Sequence, residues 1–73
     1  MTDEDHREIA YALLAMATAI GSVHILAASF ITEGVTAQDK LKYFEESSKS
    51  IADMYESVDR VAKKVADINK GAE

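Results

Sequence analysis

The sequence has no cysteine and no proline, and it has only two histidines among 73 residues. Without cysteine, the fold cannot depend on disulfides or thiolate metal sites, and a zinc site would need carboxylates to complete its ligands. The absence of proline favours long uninterrupted helices. A chain of this length forms at most one domain, and a single small core is marginal. Oligomerisation is therefore the expected source of further stability.

Positive charge is also scarce, since 8 Lys and Arg face 13 Asp and Glu, for a net charge of −5. Nucleic-acid binding needs a basic surface, so no nucleic-acid partner is expected. The acidic start, MTDEDHRE, resembles neither a secretory signal nor a transit peptide, which predicts a cytoplasmic protein. Hydrophobic residues make up 48% of the chain, too many for a disordered segment.

The most distinctive stretch is 9–31, which contains no Asp, Glu, Lys or Arg. We predict helix 1 over about 3–32, with Thr2 as its N-cap and acidic residues in its first turn. Its main apolar positions recur in steps of three and four, the spacing of a helix packed on another helix. They are His6, Ile9, Leu13, Met16, Ile20, Val23, Ala27 and Phe30.

A chain reversal is predicted at 33–36, where Gly34 suits a left-handed conformation and Thr36 begins a capping box with Asp39. Helix 2 is predicted over about 37–70, with acid-first pairs four residues apart on its charged side. Its apolar seam also steps by three and four. The seam consists of Leu41, Phe44, Ser48, Ile51, Tyr55, Val58, Ala62 and Val65.

The predicted fold class is all-α, an antiparallel two-helix hairpin that forms one domain over 1–73. Helix 1 is apolar on every side, so one amphipathic helix cannot cover it. We therefore expect a homodimeric four-helix bundle with helix 1 central and helix 2 outside. The expected oligomer interface, which is on helix 1, consists of Leu13, Leu14, Ala17, Ile20, Gly21, His24, Ile25 and Ala28.

A membrane is the alternative solution to the same burial problem. The 23 residues 9–31 are enough to cross ~30 Å of hydrocarbon. The excess of Lys and Arg after this segment predicts a cytoplasmic C-terminus for such a single-span protein. Against it, the segment is rich in alanine, and a histidine at mid-span, His24, is costly unless it has a partner.

Residues that carry chemistry in other proteins have structural explanations here. His24 is interpreted as an interface or core histidine whose nitrogens are satisfied, rather than as a metal ligand or proton switch. The run from Asp3 to His6 is interpreted as a helix start, and the serines near Ser48 have no expected base. The sequence therefore predicts no enzyme, cofactor or metal. It favours a structural, adaptor or regulatory module that binds itself, with the charged side of helix 2 available to another protein.

Overall fold

The fold consists of two long helices, as described for residues 2–72 by a computed structural model. Helix α1 spans Asp3–Ile31 and helix α2 spans Ala37–Ala72, and no strand occurs within this range. The prediction of an all-helical chain with two helices is confirmed. Helix α1 ends one residue before the expected boundary, and α2 extends two residues beyond its expected end. The pair forms a rod of 57 × 16 × 15 Å.

A capping box fixes the start of α1. The Thr2 hydroxyl accepts a hydrogen bond from the Asp5 backbone N–H at 3.2 Å, and the Thr2 N–H donates to the Asp5 carboxylate at 3.1 Å. Two backbone donors that would otherwise lack partners are thereby satisfied. The acidic residues of this first turn also lie at the positive end of the helix dipole.

The chain reverses direction between the helices within residues 32–36. Thr32 ends α1 in an extended conformation, and Gly34 has a φ of 87°, which a residue with a side chain rarely adopts. The Thr36 hydroxyl then accepts from the Asp39 backbone N–H at 3.1 Å, which caps the first turn of α2. Because the connection is so short, the helices are antiparallel neighbours.

Small side chains form the centre of the contact between the helices. Ala12, Ala19 and Ser29 of α1 are buried, as is Ser47 of α2. In the half of the rod nearer the turn, the hydroxyls of Ser22 and Ser50 lie 3.2 Å apart, within hydrogen-bonding distance. Larger residues are only half-buried beside this line. They are Ile9, Met16 and Leu26 on α1, and Ile51, Met54, Val58 and Val61 on α2.

The apolar seams predicted from the sequence do not form this contact line. Leu13 and Ile20 are 59% and 70% exposed, whereas the preceding residues, Ala12 and Ala19, are 4% and 3% exposed. On α2, Tyr55 of the predicted seam is likewise exposed. Both lines repeat in steps of three and four, so periodicity alone cannot distinguish them. The interior uses the line of small residues, which allows the two backbones to approach closely.

The close approach at Ala19 predicts a cost for a larger side chain there. We expect Ala19→Leu to destabilise the protein by about 1–3 kcal/mol, because added carbons at a tightly packed position force backbone or rotamer shifts. The matched control is Ala10→Leu, at an exposed position of the same helix, which should change stability by no more than about 0.5 kcal/mol. Urea unfolding followed by circular dichroism measures both. Equal effects would show that Ala19 is not closely packed.

Candidate interaction surface

Most large apolar side chains of the chain lie outside the contact between the helices. Among the described residues, thirteen of them are between 41% and 87% exposed. Those on α1 are Tyr11, Leu13, Leu14, Ile20, Val23, Ile25, Phe30 and Ile31. Those on α2 are Leu41, Phe44, Tyr55, Val65 and Ile68. Soluble monomers rarely leave so much apolar surface uncovered, so this surface is the candidate site.

The two predicted seams lie on the same side of the hairpin. Each seam residue follows an interior residue by one or four positions, a rotation of roughly 100° or 40° about the helix axis. Because the helices are antiparallel, this rotation turns both seams to one side. We call this surface the two-helix face. It consists of His6, Ile9, Leu13, Met16, Ile20, Val23, Ala27 and Phe30 with Leu41, Phe44, Ser48, Ile51, Tyr55, Val58, Ala62 and Val65.

A shallow apolar groove runs between the helices on this side. Ala19, Ile20 and Val23 line it from α1, and Ile51 and Met54 line it from α2. The groove is open, so the side chains of another helix could enter it. Its position shows that the exposed seams of both helices border one continuous surface.

The two-helix face carries no Asp, Glu, Lys or Arg, although 29% of the residues in the chain are charged. The other side of α2 is different, since it carries ion pairs such as Arg60 with Glu56 at 3.3 Å and Lys63 with Asp59 at 2.9 Å. These pairs are exposed and four residues apart, as expected for a solvated helix surface. These ion pairs lie away from the two-helix face, whereas Lys40 of α2 borders it beside the turn, with its ammonium 5.1 Å from the centre of the Phe30 ring.

The residues predicted as the oligomer interface fall on different sides of α1. Two lie on the two-helix face: Leu13 and Ile20. Four lie toward the opposite side: Leu14, Gly21, Ile25 and Ala28. The remaining two, Ala17 and His24, lie on the outermost line of α1. All except Ala28 are exposed, and their contact with a second chain stays a prediction. His24 is exposed and lies outside the hairpin interior, so the hairpin alone does not bury it.

An ion cluster, which sequence reasoning missed, joins the open ends of the helices. The Lys64 ammonium lies 3.2 Å from the Asp5 carboxylate and 3.6 Å from the Glu8 carboxylate. The hydrogen bond from the Thr2 backbone N–H, followed by that from Lys64, lowers the pKa of Asp5. The hydrogen bond to Asp5 raises the pKa of Lys64. The sequence does contain a signal for this cluster, because Asp5 lies seven residues before Ala12 and therefore on the same interior line of α1.

Helix α1 is the one described helix that is long and apolar enough to cross a membrane. Its length and composition are the basis for this statement, and the core helix of a soluble protein can have the same length and composition. A core helix is mostly buried, however, and only 11% of the most apolar window of α1 is buried here. Most of the apolar surface of α1 is therefore uncovered in the single hairpin.

Comparison with known proteins adds no assignment, since no protein-family model, no curated protein and no solved structure matches the chain. The inference of function therefore depends on the surface itself: its exposed apolar side chains, its distribution of charge and the ion cluster at the open ends.

The ion cluster predicts a specific loss of stability in acid. Because folding lowers the pKa of Asp5 below its ordinary value of 3.8, the carboxylate stabilises the fold above that pH, and this contribution is lost as the pH falls through the lower folded value. We expect Asp5→Asn to be less stable than the wild type at pH 7 and to lose less stability below pH 3.8. Urea unfolding across pH measures both effects.

The control for this experiment is Asp3→Asn, which removes a carboxylate from the same first turn but leaves the bonds from Thr2 and Lys64 to Asp5 in place. It should retain the acid dependence of the wild type. Identical pH profiles for the Asp5 and Asp3 variants would contradict the assigned role of the cluster.

Proposed function

We propose that this chain is a non-enzymatic, self-assembling helical hairpin that acts as a structural, adaptor or regulatory module in protein–protein interaction. In this proposal two hairpins associate as a homodimeric four-helix bundle. The observation that carries it is the set of thirteen large apolar side chains exposed on the hairpin. A second copy would remove much of this surface from water, which is the main driving force of association.

The small interior of the hairpin supports the same proposal. Among the side chains that the structure describes, the buried apolar ones are Ala12 and Ala19, and no large side chain is fully buried. Two alanines contribute little burial energy compared with the conformational entropy of ordering the chain. Association would supply the missing core, as it does for other chains too short to bury one alone.

A partner protein of a different kind is proposed for the charged side of α2. Its exposed side chains include both acids and bases, with Glu56 and Asp59 each paired to a basic residue one turn later. Such a surface contributes specificity through complementary charge more than through affinity. In the assembled protein this side of α2 would remain available, and the setting we propose is the cytoplasm.

The second candidate is a small single-span membrane protein with a cytoplasmic C-terminus, and the length and composition of α1 favour it. The hairpin contacts weigh against it. Ser50 meets Ser22 in the half nearer the turn and Lys64 meets Asp5 near the open end, so α2 accompanies α1 along its length. A span with this geometry would carry the charges of α2 into hydrocarbon, which is costly. The membrane protein would have to separate the two helices.

Purification without detergent separates the two candidates. We expect a soluble species of about twice the 8.0 kDa chain mass when light scattering is measured over a range of concentrations. A species that stays at the single-chain mass at high concentration would refute self-assembly. Extraction in detergent alone would support the membrane span.

Coupling between association and stability gives an independent measurement. Because a dimer is stabilised by mass action, the midpoint of urea unfolding should rise as the protein concentration rises. Unfolding is followed by circular dichroism at concentrations that differ by about 100-fold, enough to resolve a shift of about 2.7 kcal/mol for a bimolecular equilibrium. A midpoint independent of concentration would indicate that the hairpin folds alone.

A further inference from the structure

We propose that the two-helix face is the surface through which two copies of this chain associate. This inference rests on the proposed self-assembly and specifies its surface. It differs from a bundle centred on α1, since α2 contributes as many large side chains as α1 and all four helices line the interface. The occupant is a second copy, which the area, charge and side-chain shapes of the face favour.

The area of the face is sufficient for a stable dimer. The hairpin is 57 Å long and 16 Å wide, so one side has an outline of about 900 Å2. Stable protein interfaces bury roughly 800 Å2 per partner. A dimer that used most of the two-helix face would therefore reach the size of a standard interface without contributions from the other sides.

The charge distribution favours a second copy on this side. In a twofold dimer the same patch is present on both partners, so a charged residue within the patch would be desolvated twice. The two-helix face has none, although each chain carries a net charge of −5. Glu45 lies at its edge on α2, and Asp59, further along, is paired with Lys63. The net negative charge of the chain disfavours an anionic lipid surface as the occupant.

The side chains of the face include both large aromatic rings and small residues. Three aromatic rings belong to it, and all are exposed in the single hairpin: Phe30 at 65%, Phe44 at 57% and Tyr55 at 66%. Aromatic residues at the centre of an interface commonly provide much of its binding energy. Ser48 lies between Phe44 and Tyr55 along α2, and it offers space into which a partner side chain can pack.

Charge substitutions test the face without altering the hairpin interior. Ile20→Lys and Tyr55→Lys each place an ammonium within the proposed contact, at positions that are exposed in the single chain. We expect each to raise the dimer dissociation constant at least about 30-fold, the loss typical of a central interface residue. Sedimentation equilibrium measures the constant, and circular dichroism verifies that the helices are retained.

The matched control is Leu14→Lys, because Leu14 is 63% exposed but lies on the opposite side of α1. It should leave the dissociation constant within about threefold of the wild type. Dissociation by Leu14→Lys with no effect of Ile20→Lys would overturn the two-helix face while leaving self-assembly intact. A wild type that is monomeric throughout would refute self-assembly itself.

Protection of a single thiol gives a readout that requires no disruption of the dimer. The chain has no cysteine, so Ser48→Cys introduces one thiol on the face and Lys49→Cys introduces one on the charged side of α2. In the associated protein, we expect the thiol at 48 to react with a water-soluble disulfide reagent at least about 10-fold more slowly than the thiol at 49. The reaction rate of the thiol at 48 should rise when dilution dissociates the dimer. Equal rates in the dimer would overturn the proposal.

Lipid as the occupant is tested with vesicles of neutral phosphatidylcholine. We expect the wild type to stay in the supernatant when such vesicles are sedimented, and the mass of the soluble species to be unchanged. Binding to the vesicles that is abolished by Ile20→Lys would overturn the proposal, because the face would then be covered by lipid.

Discussion

The close contact between two lines of small side chains determines how the rest of the molecule is arranged. Ala12 and Ala19 of α1 and Ser47 of α2 are buried between the helices, and Ser22 meets Ser50, so the helices have little space between them for large residues. Large apolar side chains are consequently turned outward on both helices. The exposed apolar surface is thus a consequence of how the helices pack, because an interior built from leucine and isoleucine would have hidden the same residues.

Polar contacts at the two ends complement this narrow interior. At the open end, the capping box of Thr2 and Asp5 is joined to α2 through Lys64, and at the closed end Thr36 caps the first turn of α2. The ammonium of Lys40 lies 5.1 Å from the centre of the Phe30 ring beside the turn. Directional interactions thereby hold the ends of helices whose middle has little apolar burial. The exposed apolar side chains along the side of the rod, in contrast, have no packing partner within the hairpin.

The sequence predicted the two helices and the cap at Thr2 because these depend on residues close together in the chain. It did not predict which line of α1 meets α2. Leu13 and Ala12 belong to neighbouring lines of the same period, and hydrophobicity favours the larger residue as an interior position. The bond between Lys64 and Asp5 was missed for another reason. The two residues are 59 positions apart, and only the alignment of one helix against the other brings them together.

The serine hydroxyls between the helices have a consequence for that alignment. Ser22 and Ser29 are seven residues apart on α1, as are Ser50 and Ser57 on α2. Sliding one helix by two turns would therefore still bring a hydroxyl opposite a hydroxyl, and the polar contacts in the middle cannot by themselves distinguish the two alignments. Lys64 can, because a shift of this size would replace Glu8 opposite its ammonium by an alanine. The ion pair at Lys64 thus adds to the short turn in selecting one alignment of the helices.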